Sequence, residues 1–165
     1  LRRAPDRVTR LAVMDTNALA ETPQSAADYE PLIIKLKANR IDEAVQAVIR
    51  PETLAPGAGR MAVMAELSAM ARAVGSEAII RQVRALQRRR DYQAVLRRCR
   101  LPALVLCGEH DRLTPPKRHE LMAGLLPNAA LQVIAEAGHL PVLEAPGAVN
   151  AALAAWLQQP APADG

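Results

Sequence analysis

The stretch 101–146, LPALVLCGEHDRLTPPKRHELMAGLLPNAALQVIAEAGHLPVLEAP, decides the fold. Leu101 to Cys107 is a short apolar run rich in branched residues, the pattern of a parallel strand buried on both faces. Gly108 to Thr114 is polar and follows it as a loop. Pro115-Pro116 opens a helix that ends near Leu126, because Pro is suited to the first helical turn. Pro127-Asn128 makes a turn, and Leu131 to Ala135 is a second apolar run. Glu136 to Pro141 is again a loop, and Pro146 to about Gln158 forms a last helix. Strand followed by helix, twice over, predicts an α/β protein with a parallel sheet covered on both sides.

Upstream, Arg7 to Asp15 (RVTRLAVMD) ends in the apolar run Leu11 to Met14, and a short apolar run closing on a polar residue fits a further buried parallel strand. Residues 22 to about 98 then read as helical. Thr22-Pro23 has the form of an N-cap and first helical residue, and Leu32, Ile33 and Leu36 share a face beyond it. A shorter helix covers Asp42 to Ile49, and the Pro- and Gly-rich stretch 51–59 is a loop. Helices follow over Arg60 to Val74 and Glu77 to about Arg88, with Gly75-Ser76 between them as stop and cap. The organisation is therefore core strand and loop over 1–21, a helical insertion over 22–98, and core strands and helices over 99–158. The Pro-rich tail 159–165 is expected to be disordered. An insertion between two strands of an open α/β sheet lies over their C-terminal ends, where such sheets bind ligands.

Both loops that follow strands place a titratable group at a strand's C-terminal end. These are Asp111 in GEHDRLTP and His139 in AGHLP, 28 residues further on. A nucleophile needs a base to take its proton, and that imidazole needs a carboxylate to fix its tautomer and stabilise its cation. Asp then His in chain order are the last two members of a Ser…Asp…His arrangement. Asp15, at the end of the first strand, is a second candidate for the acid. His110 is expected to be solvent-exposed, His119 to sit inert on a surface helix, and Glu144 to complement a helix dipole.

The motifs strand-G-x-x-D-x-x-T-P and G-H-x-x-x-L-E-x-P resemble the C-terminal part of α/β-hydrolases. Within them the sequence is most similar to small carboxylesterases and enol-lactone hydrolases. The resemblance covers residues 1 to about 158 and is strongest over 101–158. It implies a partial α/β-hydrolase fold, with the last three parallel strands of the sheet and an inserted helical cap. It also implies that Asp111 is the acid and His139 the base of a catalytic triad. The substrate implied is a small-molecule carboxylic ester or lactone, hydrolysed by serine acylation without a cofactor, with the cap helices shaping its pocket. No G-x-S-x-G elbow occurs in the 165 residues, so the chain by itself is expected to be inactive. An aspartyl nucleophile, as in dehalogenases and epoxide hydrolases, a perhydrolase, and a truncated non-catalytic interaction module are the alternatives.

Composition narrows the field further. The formal net charge is +4, with no Phe, one Trp and two Tyr among 165 residues. Binding of single-stranded nucleic acid relies on aromatic platforms beside the basic groups, and these are nearly absent. The basic clusters Arg88-Arg89-Arg90 and Arg97-Arg98-Cys99-Arg100 therefore read as a solvated helix face, with no nucleic-acid partner. No apolar run reaches the roughly 18 residues of a membrane span, and Cys99 and Cys107 form neither a disulfide framework nor a metal spacing. These features point to the cytoplasm, no membrane association and no metal. The opening Leu1-Arg2-Arg3-Ala4-Pro5 reads like the end of a helix that starts earlier. The chain is accordingly expected to be a fragment that self-associates, or pairs with a missing N-terminal half, through an open sheet edge.

Overall fold

The structure is a computed structural model and describes residues 1–160; the predicted disordered tail falls largely on 161–165, outside the described residues. Its sheet has three parallel strands in the order β1 (Leu11–Met14), β2 (Ala103–Gly108), β3 (Ala129–Ile134). Leu11 pairs with Ala103 and Met14 with Leu106, while Ala103 pairs with Ala129 and Gly108 with Ile134. The first strand, Leu11–Met14, coincides with the apolar run of the sequence, and its pairing with β2 begins at Leu11. Arg10, just before it, donates to the carbonyl oxygens of Leu157 and Gln159.

The chain divides into two compact units. One comprises residues 1–18, 52–56 and 92 onwards, and contains the sheet. Its central strand β2 is buried along its whole length. Alternate β2 side chains face opposite sides, as strand geometry requires. Ala103 and Val105 pack with Leu96, Cys99, Met122 and Leu126 on one face. Leu104 and Leu106 pack with Ile134, Ala137 and Val149 on the other. Helices α6 (Gln93–Arg98) and α7 (Pro116–Leu125) thus cover one side, and α9 (Pro146–Leu157) the other. Trp156, the single Trp, fixes α9 by donating its indole N–H to the Pro102 carbonyl at 3.2 Å. A four-residue helix, α8 (Pro141–Glu144), begins where the expected loop ends.

The second unit, residues 19–51 and 57–91, is entirely helical: α1 (Pro23–Ala27), α2 (Glu30–Lys37), α3 (Ile41–Val48), α4 (Arg60–Val74) and α5 (Ser76–Gln87). Thr22 caps α1 through a reciprocal box with Ser25, and Pro23 is the first helical residue. Gly75, at φ +82°, separates α4 from α5 in a conformation that disfavours a side chain. Ile33, Leu36, Ala44 and Val83 form the unit's core. Glu30 accepts from both Arg84 and Gln87 at its edge. Residues 52–56 and 92–98 lie within the span read from sequence as a helical insertion, yet they cluster with the sheet. The reason is apolar: Leu96 is one of the residues buried against β2, and Leu54 is fully buried.

Candidate active site

Asp111 and His139 stand on the loops that leave the adjacent strands β2 and β3, and backbone bonds lace these loops together. Glu109 N–H donates to the Ile134 carbonyl at 2.9 Å, and His110 N–H to the Ala137 carbonyl at 2.8 Å. The approach is so close that a Cβ on Gly108 would lie 2.1 Å from the Gly138 oxygen. Only glycine fits. Gly108→Ala is therefore expected to lower stability by about 1–3 kcal/mol, as overpacking does, read as a fall in the urea midpoint.

Asp111 has a buried side chain and uses both carboxylate oxygens. Oδ1 accepts from the Leu113 N–H at 2.8 Å and the Thr114 N–H at 3.0 Å. Oδ2 accepts from the Thr114 hydroxyl at 2.7 Å and faces His139 Nδ1 at 2.9 Å. Burial alone would push this carboxyl up, but the bonds from His139 and Thr114 outweigh it and hold it below the usual range. It is thus ionised at neutral pH, and an ionised partner requires the hydrogen on Nδ1. That leaves Nε2 with a free lone pair, the form in which imidazole accepts a proton. Among the described residues Nε2 has no hydrogen-bond partner, and the His139 side chain is 19% exposed. The pair has the geometry that an oriented base requires, one ring nitrogen anchored and the other open.

The remaining candidates stay apart from this pair. Asp15, at φ +46°, accepts from the Gly108 N–H at 3.3 Å and makes no bond to His139. Burial pushes its carboxyl from 3.8 up to about 7, the Gly108 bond opposes that, and the Asp111 charge adds to it. Between these pH values the folded protein holds a proton that the unfolded chain releases. The contribution to stability is therefore present below pH about 4 and lost as pH rises to about 7. Asp15→Asn is expected to raise the urea midpoint at pH 8 and to change it little at pH 4.

His110 is partly exposed beside Glu109. His119 departs from the expectation of an inert surface residue. It is fully buried in α7, and its Nε2 accepts from the Thr16 N–H at 3.1 Å. Burial lowers its pKa, so it is a neutral side chain that fixes the turn after β1. Glu144 does not start the last helix. It ends α8 and accepts from the Ala55 N–H at 2.6 Å and the Leu140 N–H at 2.9 Å. Two contributors escaped the sequence reading: the Thr114 hydroxyl, and the segment 53–55, whose Thr53 carbonyl accepts from the His139 N–H at 2.8 Å. The D-x-x-T spacing was the available signal for the first. The second is a long-range backbone contact with none. Among the described residues no cluster of His, Cys, Asp or Glu could hold a metal, and no helix is long and apolar enough to cross a membrane.

A buried carboxylate after one parallel strand and a partly exposed histidine after the next form the candidate site, and residues 1–146 match the sequence profile of the α/β hydrolase fold. The chain belongs to the α/β-hydrolase fold family. Among solved structures it is similar to a thermophilic esterase from Thermogutta terrifontis, with 25% identity and a TM-score of 0.87, over 96% of this chain and 58% of that one. A hydrolase from Pseudomonas aeruginosa PA01 is similar at 26% identity and TM-score 0.74, over 94% and 58% of the two chains. The enol-lactonase from Burkholderia xenovorans LB400 shares the fold at 23% identity and TM-score 0.75, over 95% and 59%. The chain thus spans a little under three fifths of the length of these structures. No sequence among the curated proteins matches it.

Proposed function

We propose that the protein is a hydrolase of small carboxylic esters or lactones, in which Asp111 and His139 serve a serine nucleophile that lies outside these 165 residues. The observation that carries this reading is the 2.9 Å contact between His139 Nδ1 and an Asp111 carboxylate whose other acceptor positions are all occupied. Similarity to an esterase supports the ester class.

In this reading His139 Nε2 takes the hydroxyl proton as the serine oxygen attacks the carbonyl carbon. The imidazolium, stabilised by Asp111, then returns that proton to the departing alkoxide, leaving an acyl-enzyme. A water then attacks the acyl carbon and gives a proton to Nε2, which passes it to the serine oxygen as the acid departs, restoring the hydroxyl. For a lactone, the alcohol and the acid stay joined in one product. Of the three serines in the chain, Ser25, Ser68 and Ser76, none stands in a G-x-S-x-G elbow. The 165-residue polypeptide on its own is therefore expected to hydrolyse no ester. The test is turnover of p-nitrophenyl esters and of an enol-lactone. The product of the whole reading frame is expected to show saturable hydrolysis, and the isolated 165 residues none. Saturable turnover by the isolated chain that His139→Ala removes would overturn the assignment of the nucleophile.

A further inference from the structure

Most of the segment between β1 and α6 belongs to the helical unit, but residues 52–56 return to the sheet unit and lie against the histidine loop. Thr53 and Leu54 are buried there. Gly138 abuts them so closely that a Cβ would lie 2.4 Å from the Thr53 oxygen and 2.5 Å from the Leu54 Cα. The His139 N–H donates to that Thr53 oxygen at 2.8 Å. One side chain closes the arrangement. Glu144 accepts from Ala55 N–H in the strap through Oε2 and from Leu140 N–H in the histidine loop through Oε1.

We infer that Glu144 is a positioning residue, a carboxylate latch that clamps the strap 53–55 onto the histidine loop and thereby fixes where the His139 ring stands. The inference rests on the reading of Asp111–His139 as the acid–base pair. Asp111 sets the tautomer and one end of the ring, but it cannot by itself hold the backbone from which the ring projects. That backbone is held at His139 by Thr53 and at the next residue by Glu144. Both latch bonds have an N–H as donor, so the bridging group must offer two acceptors. A carboxylate does, whereas an amide offers one acceptor oxygen and turns its NH2 against the other N–H. Bonds to a charged acceptor are also the stronger kind. The strap is flanked in sequence by α3 and α4, so the latch ties the histidine loop to the chain that joins those two helices.

The test uses the product of the whole reading frame, with Glu144→Gln as the isosteric variant. Three readouts are compared with the unaltered protein: amide exchange at Ala55, His139 and Leu140, the His139 Nδ1–H proton resonance, and kcat against KM on a p-nitrophenyl ester. The expected result is exchange faster by roughly tenfold to a hundredfold at the three amides, the equivalent of losing one charged hydrogen bond. Exchange in β2 is unchanged, the Nδ1–H resonance is broadened or lost, and kcat falls with KM little altered. Unchanged exchange together with a retained resonance overturns the latch. If Glu144→Gln does not fold, Glu144→Asp keeps the charge but is too short to span both amides, and it carries the same readouts. If that variant also fails to fold, Glu144 is a folding residue and the positioning role is wrong. The reading beneath it fails separately, by absence of a bonded Nδ1–H resonance in the unaltered protein.

Discussion

Asp111→Asn is expected to lower ester turnover by roughly 10³ to 10⁴-fold, the range seen when a triad acid becomes its amide, while the protein keeps its fold. The hydrogen-bond pattern fixes which way the amide turns. Two backbone N–H groups, from Leu113 and Thr114, point at the Oδ1 position and demand an oxygen there. The new NH2 group must then take the Oδ2 position, facing the Thr114 hydroxyl and His139 Nδ1. The hydroxyl can rotate to accept. Nδ1 can meet an N–H donor only as an acceptor, so the ring hydrogen moves to Nε2 and the outward nitrogen loses its free lone pair. The variant thus holds an imidazole in the right place and the wrong tautomer. The signatures are a kcat that collapses while KM stays near its starting value, and loss of the bonded Nδ1–H resonance. Activity within tenfold of the unaltered protein would show that Asp111 does not set the tautomer.

His139→Ala is expected to cost at least about a thousandfold in kcat/KM, since general acid–base catalysis is worth about 10² to 10⁴ and the nucleophile also loses its activating partner. The two substitutions differ in what they leave behind. Alanine removes the proton carrier and vacates the ring's space, so added imidazole restores part of the rate if it can enter. Asp111→Asn retains the ring and is not restored by imidazole. Because the two residues act as a unit, the double variant is expected to lose little more than the worse single one. Full additivity in the double variant would mean that they act independently, against the 2.9 Å contact between them.

The most readable parts of the sequence were those whose signal is local. β2 is an unbroken apolar run, and a central parallel strand must be one; the structure buries all of it. The loops that follow β2 and β3 were placed by the Gly and Pro residues around them, and adjacent parallel strands bring such loop ends together. What escaped the reading depends on residues distant in sequence. Glu144 and Ala55 are 89 positions apart, and nothing in PETLAP marks it as support for a histidine loop. His119 lies on α7, whose apolar residues form no clean stripe, so its burial follows only from the turn after β1 that it caps. Residues 22–37 likewise read as one helix and form two, because Asp28-Tyr29 interrupts them and α2 begins afresh with Pro31 in its first turn.

The ester-hydrolase reading depends most on what Nε2 of His139 serves. The most direct measurement is covalent labelling of the whole reading-frame product with a fluorophosphonate, followed by mass mapping of the modified residue, with His139→Ala as control. One labelled serine is expected, inside a G-x-S-x-G sequence outside these 165 residues, with labelling lost or greatly slowed in the variant. A label on Ser25, Ser68 or Ser76, labelling that is indifferent to His139, or no labelled serine at all would contradict the ester-hydrolase reading.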